Sequence, residues 1–136
     1  MKQFAILGLA GLSVASCTAA ADGPAELSAT AQTRLATALQ GRVAGPPQSC
    51  VNQRDLRGNK SIGEEAIVFG AANDSVIYVN RPPAGCPDLR ESYALVTRTT
   101  STQLCRGDIA TVLDTASGMQ FGSCGLGDFT PYRRVR

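Results

Sequence analysis

The chain is 136 residues long, with 13 Lys and Arg against 11 Asp and Glu, five cysteines, and no histidine or tryptophan. That near-even charge gives no reason to expect a nucleic acid partner, and the length suits one domain with a core large enough to fold by itself. The missing histidine excludes Ser-His-Asp and Cys-His catalysis and removes every imidazole ligand from a metal site.

Residues 1–16 read as a lipoprotein signal peptide forming a signal helix. Lys2 gives the positive start, and residues 4–14 are apolar apart from Ser13. Small residues then take over, so the stretch falls short of the ~20 apolar residues a spanning helix needs. The run Leu12-Ser13-Val14-Ala15-Ser16-Cys17 matches a bacterial lipoprotein cleavage box. Lipidation at Cys17 places diacylglycerol on Sγ and an acyl chain such as palmitate on the freed amine, and stable anchoring takes more than one chain. In the competing reading Ala19-Ala20-Ala21 is an A-x-A site, and cleavage behind Ala21 releases a soluble periplasmic protein. The small residues directly before Cys17 favour the lipid anchor. Thr18, where enteric inner-membrane lipoproteins carry aspartate, favours the outer membrane, facing the periplasm.

Residues 17–49 read as a tether and an amphipathic helix. Residues 18–23 are a small, Ala-rich spacer; Pro24 suits a first helical position and Glu26 the first turn. Leu27, Ala31, Leu35, Ala38 and Leu39 recur at helical spacing, Gly41 offers a stop, and Ala44-Gly45-Pro46-Pro47 breaks the pattern.

From Cys50 the chemistry is β. Residues 65–69 and 75–80 are rich in Val, Ile, Phe and Tyr around the turn Gly70-Ala71-Ala72-Asn73-Asp74, which predicts a hairpin. Further strands are expected at 93–99, 109–114 and 119–124, with weaker ones at 52–57 and 129–132. The spacing predicts a mainly β domain over residues 50–132, a small antiparallel β-barrel or curved sheet of about five to seven strands. Both faces of Ile67-Val68-Phe69 and Val76-Ile77-Tyr78-Val79 are apolar, so this hairpin needs cover on both sides, and the N-terminal helix can supply one. Residues 133–136 read as a basic tail whose functional reading is contact with anionic lipid or polysaccharide.

Setting Cys17 aside leaves Cys50, Cys86, Cys105 and Cys124, an even set in an exported chain and therefore a disulfide framework. Of the three connectivities, Cys86 with Cys105 and Cys50 with Cys124 is the expected one: the first joins neighbouring segments and the second ties the ends. No two cysteines have C-x₂₋₄-C spacing, so neither zinc nor a C-x-x-C redox motif is expected, and no cofactor is implied.

Glu64 and Glu65 point to opposite faces if extended and form no two-carboxylate site. Asp74, Asp88, Asp114 and Asp128 sit at expected turns, as does Gly125-Leu126-Gly127, which lacks the third glycine and following helix of a phosphate loop. Arg106-Gly107-Asp108 spells an integrin tripeptide by coincidence, and the Asn59-Lys60-Ser61 and Asn73-Asp74-Ser75 sequons read as turn residues. The residues 81–87, with Arg81, Pro82 and Pro83 at their start, cannot be strand interior and form the candidate partner loop.

Cys50-Val51, Arg54-Asp55-Leu56-Arg57, Tyr78-Val79-Asn80-Arg81-Pro82, Cys86-Pro87-Asp88-Leu89, Leu104-Cys105-Arg106-Gly107-Asp108 and the run from Cys124 through Gly127-Asp128-Phe129-Thr130-Pro131-Tyr132 together carry a resemblance. In this succession the chain resembles a family of small, uncharacterised exported proteins of alphaproteobacteria, sphingomonad-type bacteria in particular, over about residues 41–132. The resemblance implies export and a single domain, and brings no catalytic residue. The expected function is a non-enzymatic structural or binding module of the envelope, held to the membrane by its lipid and meeting an envelope protein or polysaccharide. The alternatives are an inhibitor of a periplasmic or invading hydrolase, using a protruding 81–87 loop, and an enzyme relying on carboxylates or tyrosines.

Overall fold

A computed structural model describes residues 24–136; the signal segment, Cys17 and the A-x-A site lie outside the described residues. The elements in chain order are helix α1 (Ala29–Ala38) and strands β1 (Arg42–Ala44), β2 (Cys50–Asn52), β3 (Asn59–Ile62), β4 (Ala66–Phe69), β5 (Val76–Asn80), β6 (Tyr93–Thr97), β7 (Gln103–Cys105), β8 (Ile109–Asp114), β9 (Gln120–Gly125) and β10 (Phe129–Arg134). They form three antiparallel sheets, ordered β1-β10-β5-β4-β3, β2-β7 and β6-β8-β9.

The domain is mainly β with one described helix, as expected, but ten strands replace the five to seven foreseen, and the sheets do not close into a barrel. The extra strands are three or four residues long, too short for period-2 alternation to register. Residues 52–57, expected as a strand, hold the end of β2 and the 3₁₀ turn Gln53–Asp55. Arg133 and Arg134, read as tail, are the last two residues of β10.

The five-stranded sheet is the middle layer. From β4, Ile67 and Phe69 join a core with Val51, Leu104, Val112, Leu126 and Phe129, under the two smaller sheets. Ala66 and Val68, with Ile77 and Val79 from β5, face Ala31 and Leu35 of α1. The helix therefore covers one face of the hairpin and the small sheets the other, as its two-sided apolar pattern requires.

Helix α1 starts at Ala29 rather than near Pro24. Ser28 sets that boundary: its Oγ accepts from the Ala31 N–H at 3.2 Å, while its own N–H and hydroxyl both donate to the Glu65 carboxylate at 2.6 Å. The N-cap is thus held by the sheet it packs on.

All four cysteines of the β domain are paired, as Cys50–Cys105 and Cys86–Cys124. This corrects the expected connectivity. Cys50 and Cys105 stand directly opposite in the β2–β7 pair, with Cα atoms 4.0 Å apart; Cys86 lies in the long β5–β6 connection, which crosses β9. Which segments become neighbours is a property of the sheet order and not of distance along the chain. The loops span 38 and 55 residues, each worth about 4 kcal/mol in the loop-entropy model. Peptide mapping without reductant should recover the Cys86 peptide joined to that of Cys124, and recovery of Cys86 with Cys105 would refute the pairing. Cys86→Ala with Cys124→Ala should lower stability by about 2–4 kcal/mol in urea unfolding.

Candidate functional site

The candidate partner loop is fastened rather than free. Asn80, fully buried at the end of β5, donates from Nδ2 to the Gly127 carbonyl at 2.7 Å, and its Oδ1 accepts the Gly127 N–H at 2.9 Å. This clasp continues the β5–β10 ladder where the strands end. Arg81 follows, and its carbonyl lies so close over Gly127 that a Cβ there would overlap it. Pro82 is buried, and the Cys86 N–H donates to the Glu64 carbonyl at 2.7 Å. Pro87 O presses on Gly122, where a Cβ would come within 2.7 Å. Pro83, Ala84 and Pro87 are the exposed residues of the stretch.

The adjacent acids of the β3–β4 turn work on opposite faces. Glu64 Oε1 accepts the Asp88 N–H at 2.8 Å, tying down the loop, while Glu65 receives Ser28. The Glu65 carboxyl is held below the usual glutamate range, chiefly by the Ser28 hydroxyl, then by the Ser28 N–H, with a small contribution from the Arg81 charge. The other turn acids act locally. Asp74 Oδ2 accepts the Ala71 N–H at 2.7 Å. Asp114 accepts from the Ser117 hydroxyl and the Ala116 N–H, which lower its pKa in that order. The carboxylates are thus dispersed; among the described residues no three His, Cys, Asp or Glu side chains converge as a metal site would need.

A charged surface forms instead at the Val76 end of β5. Arg42 and Arg134 are directly opposed in the β1–β10 register, a like-charge pairing that costs stability unless each charge is otherwise engaged. Both turn onto the carbonyls of the β4–β5 turn: Arg42 donates to Asp74 O at 2.7 Å and Ala72 O at 3.0 Å, and Arg134 also donates to Ala72 O. Partial burial, then the Arg134 charge, lower the Arg42 pKa, and Asp74 opposes them. Beyond this structural pair, exposed Arg54, Arg57, Arg133 and Arg136 surround two adjoining grooves, of about 310 and 480 Å³, that share Ser75, Val76 and Arg133. Asp55 and Asp74 are the acids lining them. The tail arginines thus belong to a wider surface that includes Arg54 and Arg57 from the segment after β2, a juxtaposition for which the sequence carries no signal.

A second concavity, of about 530 Å³, opens at the other end of β5, between the sheet and the segment leading into α1. Leu27, Leu35, Val79 and Tyr132 form its apolar part, Pro24, Pro47 and Pro83 its walls, and Arg81, Arg106 and Asp128 its polar part. Arg81 donates to the Ala25 carbonyl, pinning the N-terminal segment over this end of the sheet. Among the described residues no helix is long and apolar enough to cross a membrane.

No protein-family model, curated protein or solved structure matches the chain.

Gly127→Ala should destabilise the protein by about 1–3 kcal/mol in urea unfolding, since backbone rather than a yielding side chain blocks the methyl group; an unchanged midpoint would refute the tight crossing. The Glu65 contact should make α1 pH-dependent. A carboxylate whose pKa is depressed by folding adds stability above its unfolded pKa and loses it as pH falls through the folded value. Amide exchange in α1 should therefore quicken as pH drops below the ordinary glutamate range, once corrected for intrinsic rates. Glu65→Gln should abolish that dependence.

Proposed function

We propose that this chain is an exported, lipid-tethered, non-enzymatic module of the bacterial envelope that binds an anionic polysaccharide through its arginine-rich end. One observation carries the reading: Arg54, Arg57, Arg133 and Arg136 come together from separate segments around continuous grooves. Exposed arginines grouped over a concave surface give a salt-sensitive attraction for polyanions and donate paired N–H groups to carboxylates.

The arginine grooves lie away from the point where the N-terminal segment meets the sheet. Ala25 meets Arg81 just beyond one end of β5, and the arginine grooves lie at the other. At about 3.3 Å per residue, five strand residues separate the two by roughly 16 Å. The N-terminal segment therefore joins the domain at the end opposite the arginine grooves. Lipidation of Cys17, residence at the outer membrane facing the periplasm, and kinship with small exported alphaproteobacterial proteins all belong to this reading. The two disulfides support it, because such bonds persist in oxidising compartments.

The full chain should retain polygalacturonate, a carboxylated polysaccharide, at low ionic strength and release it as salt rises toward 0.3 M; neutral dextran should not bind. Replacing Arg54, Arg57 and Arg133 together by Gln should weaken retention at least tenfold with unchanged unfolding. Equal binding of dextran, or an unaffected triple variant, would overturn the proposal, and preference for anionic vesicles over the polymer would reassign the surface to lipid. Cys17→Ser should abolish metabolic palmitate labelling and release the protein from membranes.

A further inference from the structure

The concavity beneath the N-terminal segment lies apart from the arginine grooves and has a different chemistry. Leu27 and Leu35 from the helical side face Val79 and Tyr132 from the sheet, so its floor is apolar. At about 530 Å³ it falls within the range of small-molecule sites. Its mouth carries the guanidinium of Arg106, whose side chain is 62% exposed and reaches Asp128 Oδ2 only at 3.5 Å. That contact is long for a charge-assisted hydrogen bond and leaves most of the five N–H donors unused.

Asn80 and Phe129 are the last register pair of β5 and β10, so Arg81 and Asp128 stand opposite one another one step beyond it. Arg81 Nε and Asp128 Oδ1 are both buried and unpartnered. Arg81 is engaged with the Ala25 carbonyl, so the exposed guanidinium of Arg106 is the one that can turn toward a ligand.

From this geometry we infer that the cleft is a binding site for a small amphiphile with a carboxylate head. Its hydrocarbon part lies against Leu27, Leu35, Val79 and Tyr132, and its carboxylate is held at the mouth by Arg106. Burial of the apolar part supplies most of the affinity, and the guanidinium selects for the charged head. This site is independent of the polysaccharide surface: either can fail without the other.

The probe is decanoate, titrated below its aggregation concentration into the mature chain, residues 17–136 carrying Cys17→Ser, which has neither the apolar signal segment nor the lipid. Calorimetry should show saturable one-to-one binding, and amide shifts should change around Leu35, Gly127, Thr130 and Tyr132. Decanol, with the same chain length but no charge, should bind about tenfold more weakly, as should decanoate to Arg106→Gln, a loss in keeping with one charge-assisted hydrogen bond. Arg98→Gln, outside the cleft, should bind as the parent does. The inference is overturned if decanoate fails to saturate, if the shifts lie elsewhere, or if decanol and Arg106→Gln match the parent pair. Decanoate binding that is lost when the three groove arginines are replaced would place the ligand on the polymer surface instead, and would equally overturn it.

Discussion

Ile67 and Phe69 project from one side of β4 and Ala66 and Val68 from the other, and all four are buried. Neither face of that strand can be left in water, because each fully buried large apolar side chain is worth about 1.5–3 kcal/mol relative to exposure. The remaining elements are arranged around this demand. The helix covers the Ala66 and Val68 face with a narrow stripe of Ala31 and Leu35, and the two smaller sheets cover the other. Neither cover is large. Each is fixed to the central sheet by specific bonds as well as by apolar contact.

Those bonds converge on one turn. Glu64 and Glu65, adjacent in sequence, send their side chains to opposite faces and hold the β5–β6 loop and the helix N-cap respectively. Residues that look like a spare pair of acids are the clamps between the middle layer and its two coverings. The arginines of β1 and β10 do a comparable job at the far end, donating to the carbonyls of the β4–β5 turn, with the Asp74 charge supporting Arg42. The charge left over on Arg54, Arg57, Arg133 and Arg136 is what gives that end its positive field.

Local chemistry made part of this legible in the sequence. The β4–β5 hairpin followed from β-branched runs around a Gly, Asn and Asp turn, β8 was placed to the residue, and the helix buries the stripe that its spacing marked. Long-range pairing stayed hidden. The strands Arg42–Ala44, Cys50–Asn52 and Gln103–Cys105 exist only because of their partners, and so does the choice of which cysteines meet. Ser28, the N-cap, lies four residues beyond Pro24, and the glutamate that completes the cap is 37 residues away. Both candidate binding surfaces have the same origin: each gathers residues from segments that nothing local connects. Arg81 and Pro83, from the candidate partner loop, help line the apolar cleft.

The two disulfides interleave along the chain, in the order Cys50, Cys86, Cys105, Cys124, with the first bonded to the third and the second to the fourth. Nested bonds would let a protease that cut once on each side of the inner pair release the middle of the domain. Here any two cuts between residues 50 and 124 leave every cysteine-bearing fragment attached to the rest. A protein so linked can be nicked in its exposed loops and still keep its layers together.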